Sequence, residues 1–414
     1  MRDDGEDARN AAEAVARQSY GKLVALLAAR MRDVAEAEDA LSEAFAAALG
    51  DWPKGGVPAS PEAWLITVAR RKMIDGARRR RSRQDGVDHL RLIADELEAA
   101  AAQQTHIPDH RLALMFACAH PAIDPRIRAP LILQTILGFD AATIASAFLV
   151  SPATMGQRLV RAKSKIREAG IPFRVPERSE LQDRLAAVLE AMYAAFAEGW
   201  CDPAGTEIRR RNLAEEAIWL GRLLVSLLPD EPEALGLLAL MLYAEARRGA
   251  RRSPQGDYVP LADQDPASWN TSFIEAEALL LRAGQRGMLG RYQLEAALQS
   301  AHVVRRVTGS SDWSAVERIY EALWAITGSP VVAINRAIAL AQTRGPAAGL
   351  AALDALMDNV ALAEYQPYWA ARAGLLARTG ARDAADQAYE RAIGLEPDPA
   401  VRRFLEQCRM ELVG

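Results

Sequence analysis

The chemistry most legible in this chain is that of holding a polyanion. Between Pro61 and Asp85 eight basic residues, Arg70, Arg71, Lys72, Arg78, Arg79, Arg80, Arg81 and Arg83, stand against three acidic ones, Glu62, Asp75 and Asp85. A second basic excess runs from Pro152 to Arg178 and carries Thr154, Gln157, Arg158, Arg161, Lys163, Lys165 and Arg167. Cationic side chains neutralise phosphates, and Gln and Arg can also make paired hydrogen bonds to base edges in a major groove. Separating two strands needs, besides charge, a flat side chain on which an extruded base can stack, and Trp52 is a candidate for that role. A third cluster has the opposite sign. Glu36, Asp39 and Glu43 follow one another by three and four residues, so they share a helical face that could meet a basic partner around the apolar Phe45.

Helices must position these groups. The spacing of Val15, Leu23, Leu26 and Leu27 predicts a core helix over 11–30, and Val34, Leu41, Phe45 and Leu49 predict a second over 33–49, apolar on one face and acidic on the other. Asp51-Trp52-Pro53 and Gly55-Gly56 then break the chain. Ser60-Pro61-Glu62 starts a third helix with an N-cap and a proline at its first position. This helix begins apolar, with Trp64, Leu65, Ile66 and Val68, and ends basic. Part of that ending suits the helix macrodipole, but five arginines within six positions exceed that need. Trp64 is read as core. Further on, Asp140 opens a short helix and Ser151-Pro152 opens another, which is the layout of a helix-turn-helix; Met155, Leu159 and Ile166 face inward and the basic residues outward. The alternative is a surface helix with a solvated basic face, as a solvated acidic face is for 33–49.

Composition sets the frame. A chain of 414 residues, 50% apolar and 25% charged, is too long for one core and too hydrophobic for disorder. Ala, Leu, Glu and Arg dominate, so the fold class is all-α. The net charge of −4 hides the segregation of sign along the chain. Cys118, Cys201 and Cys408 are too few and too far apart for a disulfide framework or a zinc site. No apolar run reaches membrane-spanning length and the N-terminus does not read as a signal peptide, so a cytoplasmic protein without a membrane is expected. His89, His106, His110, His120 and His302 are scattered, and no phosphate loop or nucleophile elbow is present, which argues against an enzyme, a metal site or a cofactor.

The residues from Ala37 to Phe45, Pro61 to Asp75 and Thr143 to Arg167 together resemble the extracytoplasmic-function sigma family, in both DNA-binding domains and in the right order. The resemblance implies region 2 over 10–85, a linker over 86–108 and a region 4 helix-turn-helix over 109–175. It further implies that Asp39, Glu43 and Phe45 dock on core RNA polymerase, whose β′ and β subunits are the expected partners together with promoter DNA. Trp52, Arg70, Arg71, Lys72 and Arg78 to Arg81 would then hold the melted −10 element, and Thr154, Gln157, Arg158, Arg161 and Lys165 would read the −35 element. The chain departs from the common pattern at Ser42, Arg71 and Leu149, where Gln, Asn and Gly are usual.

Residues 176–414 go beyond such a protein. From Gln366, Trp369, Gly380, Ala385, Tyr389, Ala392 and Pro397 match the spacing of a tetratricopeptide repeat of about 34 residues. Weaker copies lie around Asp312 to Leu323 and Ile334 to Met357. The region resembles the C-terminal extension of the sigma subgroup with such repeats, implying a regulatory domain with a protein or peptide partner, or else a helical spacer. The interrupted stretch with Asp263, Asp265 and Trp269 reads either as a loop fold or as a contact surface. Two rivals remain: a helix-turn-helix regulator with a repeat sensor that binds duplex DNA without polymerase, and a repeat scaffold binding RNA or acidic proteins.

Overall fold

The computed structural model describes residues 4–80, 110–148, 150–200, 208–261, 263–308 and 312–412. Among them it is all-α, with one isolated bridge between Arg252 and Tyr258 in place of any strand. It divides into two compact units, Met1–Ala195 and Phe196–Gly414.

In the first unit, α1 (Asp4–Met31), α2 (Val34–Gly55) and α3 (Pro61–Arg80) pack mutually, and α4 (Arg111–Cys118), α5 (Pro125–Leu137), α6 (Ala141–Ala147) and α7 (Pro152–Glu168) join them. The core side chains of α2 are Val34, Ala37, Leu41, Ala44, Ala48 and Trp52, a stripe at helical spacing. α2 runs one turn further than its sequence signals, through Pro53 to Gly55. A proline there forfeits only its own N–H bond, burial of Trp52 holds the turn, and the Gly56 N–H closes it on the Trp52 carbonyl at 2.9 Å. α1 and α5 cross at Gly21, where a Cβ would lie 1.8 Å from the Ile136 carbonyl oxygen, so only glycine lets the backbones approach this closely.

The unit boundary falls inside α8 (Arg178–Trp200), some twenty residues beyond the boundary expected at 175/176. The start of α8 is electrostatically part of the first unit: Glu180 and Arg184 both act on the His120 imidazole, and Arg174 pairs with Glu180 at 2.8 Å.

The second unit starts with α9 (Ile208–Leu227) and α10 (Pro232–Ala246). α10 is buried all round from Ala234 to Ala244, as a stretch apolar on every face must be. It packs on α11 (Ser272–Gly284) and α12 (Arg291–Thr308), and its Glu233 carboxylate accepts the Tyr292 and Gln293 N–H groups that α12 leaves open, at 3.0 and 3.2 Å. Between α10 and α11, Trp269 is buried and Asp265 accepts the Ala267 N–H at 2.9 Å, so this stretch is a loop folded on itself, with Asp263 exposed. α13 (Trp313–Thr327), α14 (Pro330–Thr343), α15 (Pro346–Asp354), α16 (Gln366–Arg378), α17 (Arg382–Leu395) and α18 (Pro399–Met410) follow, each packing chiefly on its neighbours in sequence. No described helix is long and apolar enough to cross a membrane.

Candidate nucleic-acid and polymerase interface

Helix α7 is built to show one charged face. Ser151 caps it, accepting the Thr154 N–H at 3.3 Å, and Pro152 occupies the first position. Met155, Leu159, Ala162 and Ile166 recur by four, three and four residues and are buried against α5 and α6. Gln157, Arg158, Arg161 and Lys165 are thereby left exposed on the opposite side. Thr154 is half-buried, with its hydroxyl 2.7 Å from that of Ser151 in the cap. α6 is capped in the same way by Asp140, which accepts the Thr143 N–H at 2.7 Å. That bond holds the Asp140 carboxyl below the usual carboxylate range. Leu149, in the turn between the two helices, lies outside the described residues.

Sequence reasoning missed Arg126. With Asp124 it shares a shallow cleft with Arg158, Arg161 and Lys165, so four cations line one concavity against one carboxylate. The Arg126 guanidinium sits 3.1 Å from Asp124 and holds that carboxyl down, with a smaller contribution from Arg158. No periodic signal singled out Arg126, because it stands in the first turn of a helix whose remaining residues are mostly apolar.

Not all of the basic residues of α7 face outward. Lys163 pairs with Glu38 on the acidic helix α2, and Arg167, itself exposed, reaches Asp33 at the N-cap of that helix at 3.2 Å. Burial of Glu38 outweighs this pairing and raises its carboxyl above the usual range. Asp39 and Glu43 point away from this contact and are exposed, whereas Phe45 is half-buried. Glu43 also lies 3.4 Å from Lys72, so a residue expected to face polymerase and one expected to face DNA meet on one surface. Such an exposed pair is worth about 0–1 kcal/mol and leaves both groups available.

On α3, Arg71 and Lys72 are exposed and Arg70 is half-buried. The helix continues through Arg78, Arg79 and Arg80, whose side chains lie outside the described residues, as does all of Arg81. Trp52 is corrected: at 2% exposure it is a core residue, packed edge-on against Trp64 with ring centroids 5.5 Å apart, and it offers no face to a base. It falls in the stripe of Leu41, Ala44 and Ala48, on a helix that continues past the proline expected to end it. Trp64, expected to be core, is half-buried. Cys118 is buried beside the Thr135 hydroxyl, and burial pushes its thiol up to about 12. The described residues contain no group of three or more metal-ligating side chains placed to hold an ion.

The family model for sigma-70 region 2 matches residues 15–83, which comprise most of α1 and all of α2 and α3, with the Trp52–Trp64 and Glu43–Lys72 contacts. A second model, a family of unknown function termed DUF6596, matches residues 184–284. An uncharacterized protein, R00370, of Rhizobium meliloti (strain 1021) is 38% identical over 387 residues, covering 92% of this chain and 90% of the relative. No solved structure matches. The chain belongs to the family of that rhizobial protein. Its sigma-70 region 2 domain gives it a sigma-factor-like role in transcription initiation, in which core RNA polymerase and promoter DNA are the partners.

Proposed function

We propose that this protein is a sigma factor of the extracytoplasmic-function type, with a C-terminal helical domain that regulates it in cis. Its region 2 docks on core polymerase through Asp39, Glu43 and Phe45 and holds the melted −10 strand along Arg70, Arg71, Lys72 and Arg78 to Arg81. Region 4 presents Thr154, Gln157, Arg158, Arg161 and Lys165, joined by Arg126, to the −35 duplex. Trp52 is withdrawn from this interface. The observation that carries the reading is one compact unit in which a sigma-70 region 2 domain is followed by two short capped helices, the second exposing Gln157, Arg158, Arg161 and Lys165 on one face. A helix with that face fits a major groove, where Arg and Gln read base edges and Lys neutralises phosphate.

A repeat-like second unit is supported by the pair α16 and α17. Ala385, Tyr389 and Ala392 are buried in their contact, Trp369 donates its indole N–H to the Ala363 carbonyl at 2.9 Å, and Gly380 takes a φ of +81° in the turn. Stacked pairs of this kind expose a continuous surface to a protein or peptide ligand. Run-off transcription from genomic templates with purified core polymerase tests the reading: initiation that depends on this chain is expected, and none on any template would refute it. Ending the chain after Ala195, where the first unit closes, tests regulation in cis. Output and response to inducing conditions identical to the full chain would remove the regulatory role.

A further inference from the structure

The turn that follows α10 carries Arg247, Arg248, Arg251 and Arg252, and all four are half-buried. Two of them have carboxylate partners: Arg248 donates to Glu245 at 2.8 Å, and Arg252 pairs with Asp398. Two also close the C-terminal end of α8, where Arg248 and Arg251 donate to the Gly199 and Trp200 carbonyls at 3.4 and 3.1 Å. The Arg247 side chain takes part in neither arrangement. Its guanidinium lies over the Trp200 ring, 4.9 Å from the centroid, and that of Arg251 lies over the same ring at 3.8 Å. Arg247 has no carboxylate partner among the described residues, and its Nε–H is buried without an acceptor. Burial and the neighbouring Arg251 charge hold its guanidinium down to about 10, with the Tyr258 phenol acting the other way.

A guanidinium drawn out of water beside a like charge is costly unless an anion meets it. The face of Trp200 offsets part of that cost, but one ring serves two cations here. Capping of α8 does not explain Arg247 either, because Arg248 and Arg251 already hold the last carbonyls. We propose that Arg247 and Arg251, stacked on Trp200, form a site in the second unit for a phosphate dianion, free or as the monoester of a small molecule. Span and charge select this class. Both guanidinium carbons stand so near one ring centroid that they are at most about 9 Å apart, and one tetrahedral group accepting from both can bridge them. Phosphate in this form carries nearly two negative charges and three acceptor oxygens at neutral pH, whereas a carboxylate or a phosphodiester brings a single charge to two cations. Nε is the enclosed nitrogen of Arg247, so its Nη fork is the part left to meet a ligand. The surroundings are fixed: Arg252 bridges to Tyr258, the Val259 N–H bonds the Arg251 carbonyl at 3.0 Å, and the Tyr258 ring packs edge-on against Phe404 at 5.5 Å. The site stands without the sigma-factor reading and adds to it a chemical class of signal for the second unit.

The test uses the full chain with its tryptophans replaced by fluorotryptophan, the Trp200 resonance being assigned by its loss in Trp200→Phe. Fluorine resonance at Trp200 reads this site apart from the basic cleft around Arg126 and Arg158, which no tryptophan lines. Inorganic phosphate, exchanged for chloride at constant ionic strength and neutral pH, shifts the Trp200 signal saturably. Arg247→Gln weakens that binding about tenfold, the loss expected for one charged hydrogen-bonding partner. Arg247→Lys recovers part of it, since the charge returns without the fork, and Arg378→Gln, at an exposed arginine of α16, leaves it unchanged. The other tryptophan signals, unmoved in each variant, show that the fold is kept. Glycerol phosphate binding more tightly than inorganic phosphate identifies an esterified ligand, and equal or weaker binding identifies the free ion. Dimethyl phosphate, a monoanion, leaves the signal in place, a comparison that needs only the parent chain. No saturable shift in millimolar phosphate, an equal shift with dimethyl phosphate, or an Arg247→Gln variant that binds as the parent does would overturn the site.

Discussion

Replacing Trp52 decides whether the tryptophan beside the basic helix supports the fold or touches DNA. Its indole is buried, and truncating a buried Trp to Ala costs about 3–5 kcal/mol in lost transfer energy and residual cavity. The edge-on contact with Trp64 adds about 0.5–1.5 kcal/mol to what is lost. One feature works the other way, since the indole N–H is buried without a partner, and such a donor costs about 1–3 kcal/mol. Trp52→Phe removes that donor while giving up about 1–2 kcal/mol of buried ring, so the two changes nearly cancel and the variant stays within about 1 kcal/mol of the parent. Trp52→Ala therefore destabilises strongly and Trp52→Phe barely. Hydrogen exchange at the amides of α2 across a urea series reads this unit separately from the second one. A stacking role predicts the reverse for Trp52→Ala: native stability, with about 1–3 kcal/mol lost from single-strand binding. That result would refute the assignment of Trp52 to the core.

Removing Arg158 and Arg161 together weakens duplex binding and flattens its salt dependence by up to about two counterions, as fluorescence anisotropy between 50 and 200 mM salt would show. Reversing Asp39 and Glu43 to lysine lowers co-purification with core polymerase while leaving the melting temperature within about 2 °C, because both residues are exposed. Asp140→Ala destabilises α6 by at most about 1 kcal/mol at neutral pH. The folded carboxyl lies below its ordinary range, so this contribution is present above that range and lost as pH falls through the folded value; parent and variant should converge in acid, read by hydrogen exchange at 141–147.

Much of this was legible in the residues because helical periodicity and caps are local. The inward set Met155, Leu159 and Ile166 follows from spacing alone, and Ser151-Pro152 announced the start of α7. What escaped was non-local. A proline one turn from the end of α2 looks like a stop until the burial of Trp52 is known, and the same error placed Trp52 at the surface. Arg126 became visible only when α5 and α7 came together around one cleft. Lys163 and Arg167 counted as two more cations on a basic helix, although a carboxylate more than a hundred residues away holds each of them.

The pairing on α2 divides its acidic residues between two directions. Successive residues of a helix are turned by about 100°, so Glu38 and Asp39 cannot face the same partner, whereas Asp39 and Glu43 are separated by about 40° and can. The helix thus turns Glu38 toward Lys163 of α7 and Asp39 and Glu43 toward solvent, while Asp33, the N-cap residue ahead of it, meets Arg167. A partner that engages the exposed pair need not displace α7 from Glu38, so Glu38→Gln should leave co-purification with core polymerase unchanged while reversal of Asp39 and Glu43 lowers it. Equal losses in the two variants would mean that the two faces of α2 do not act separately.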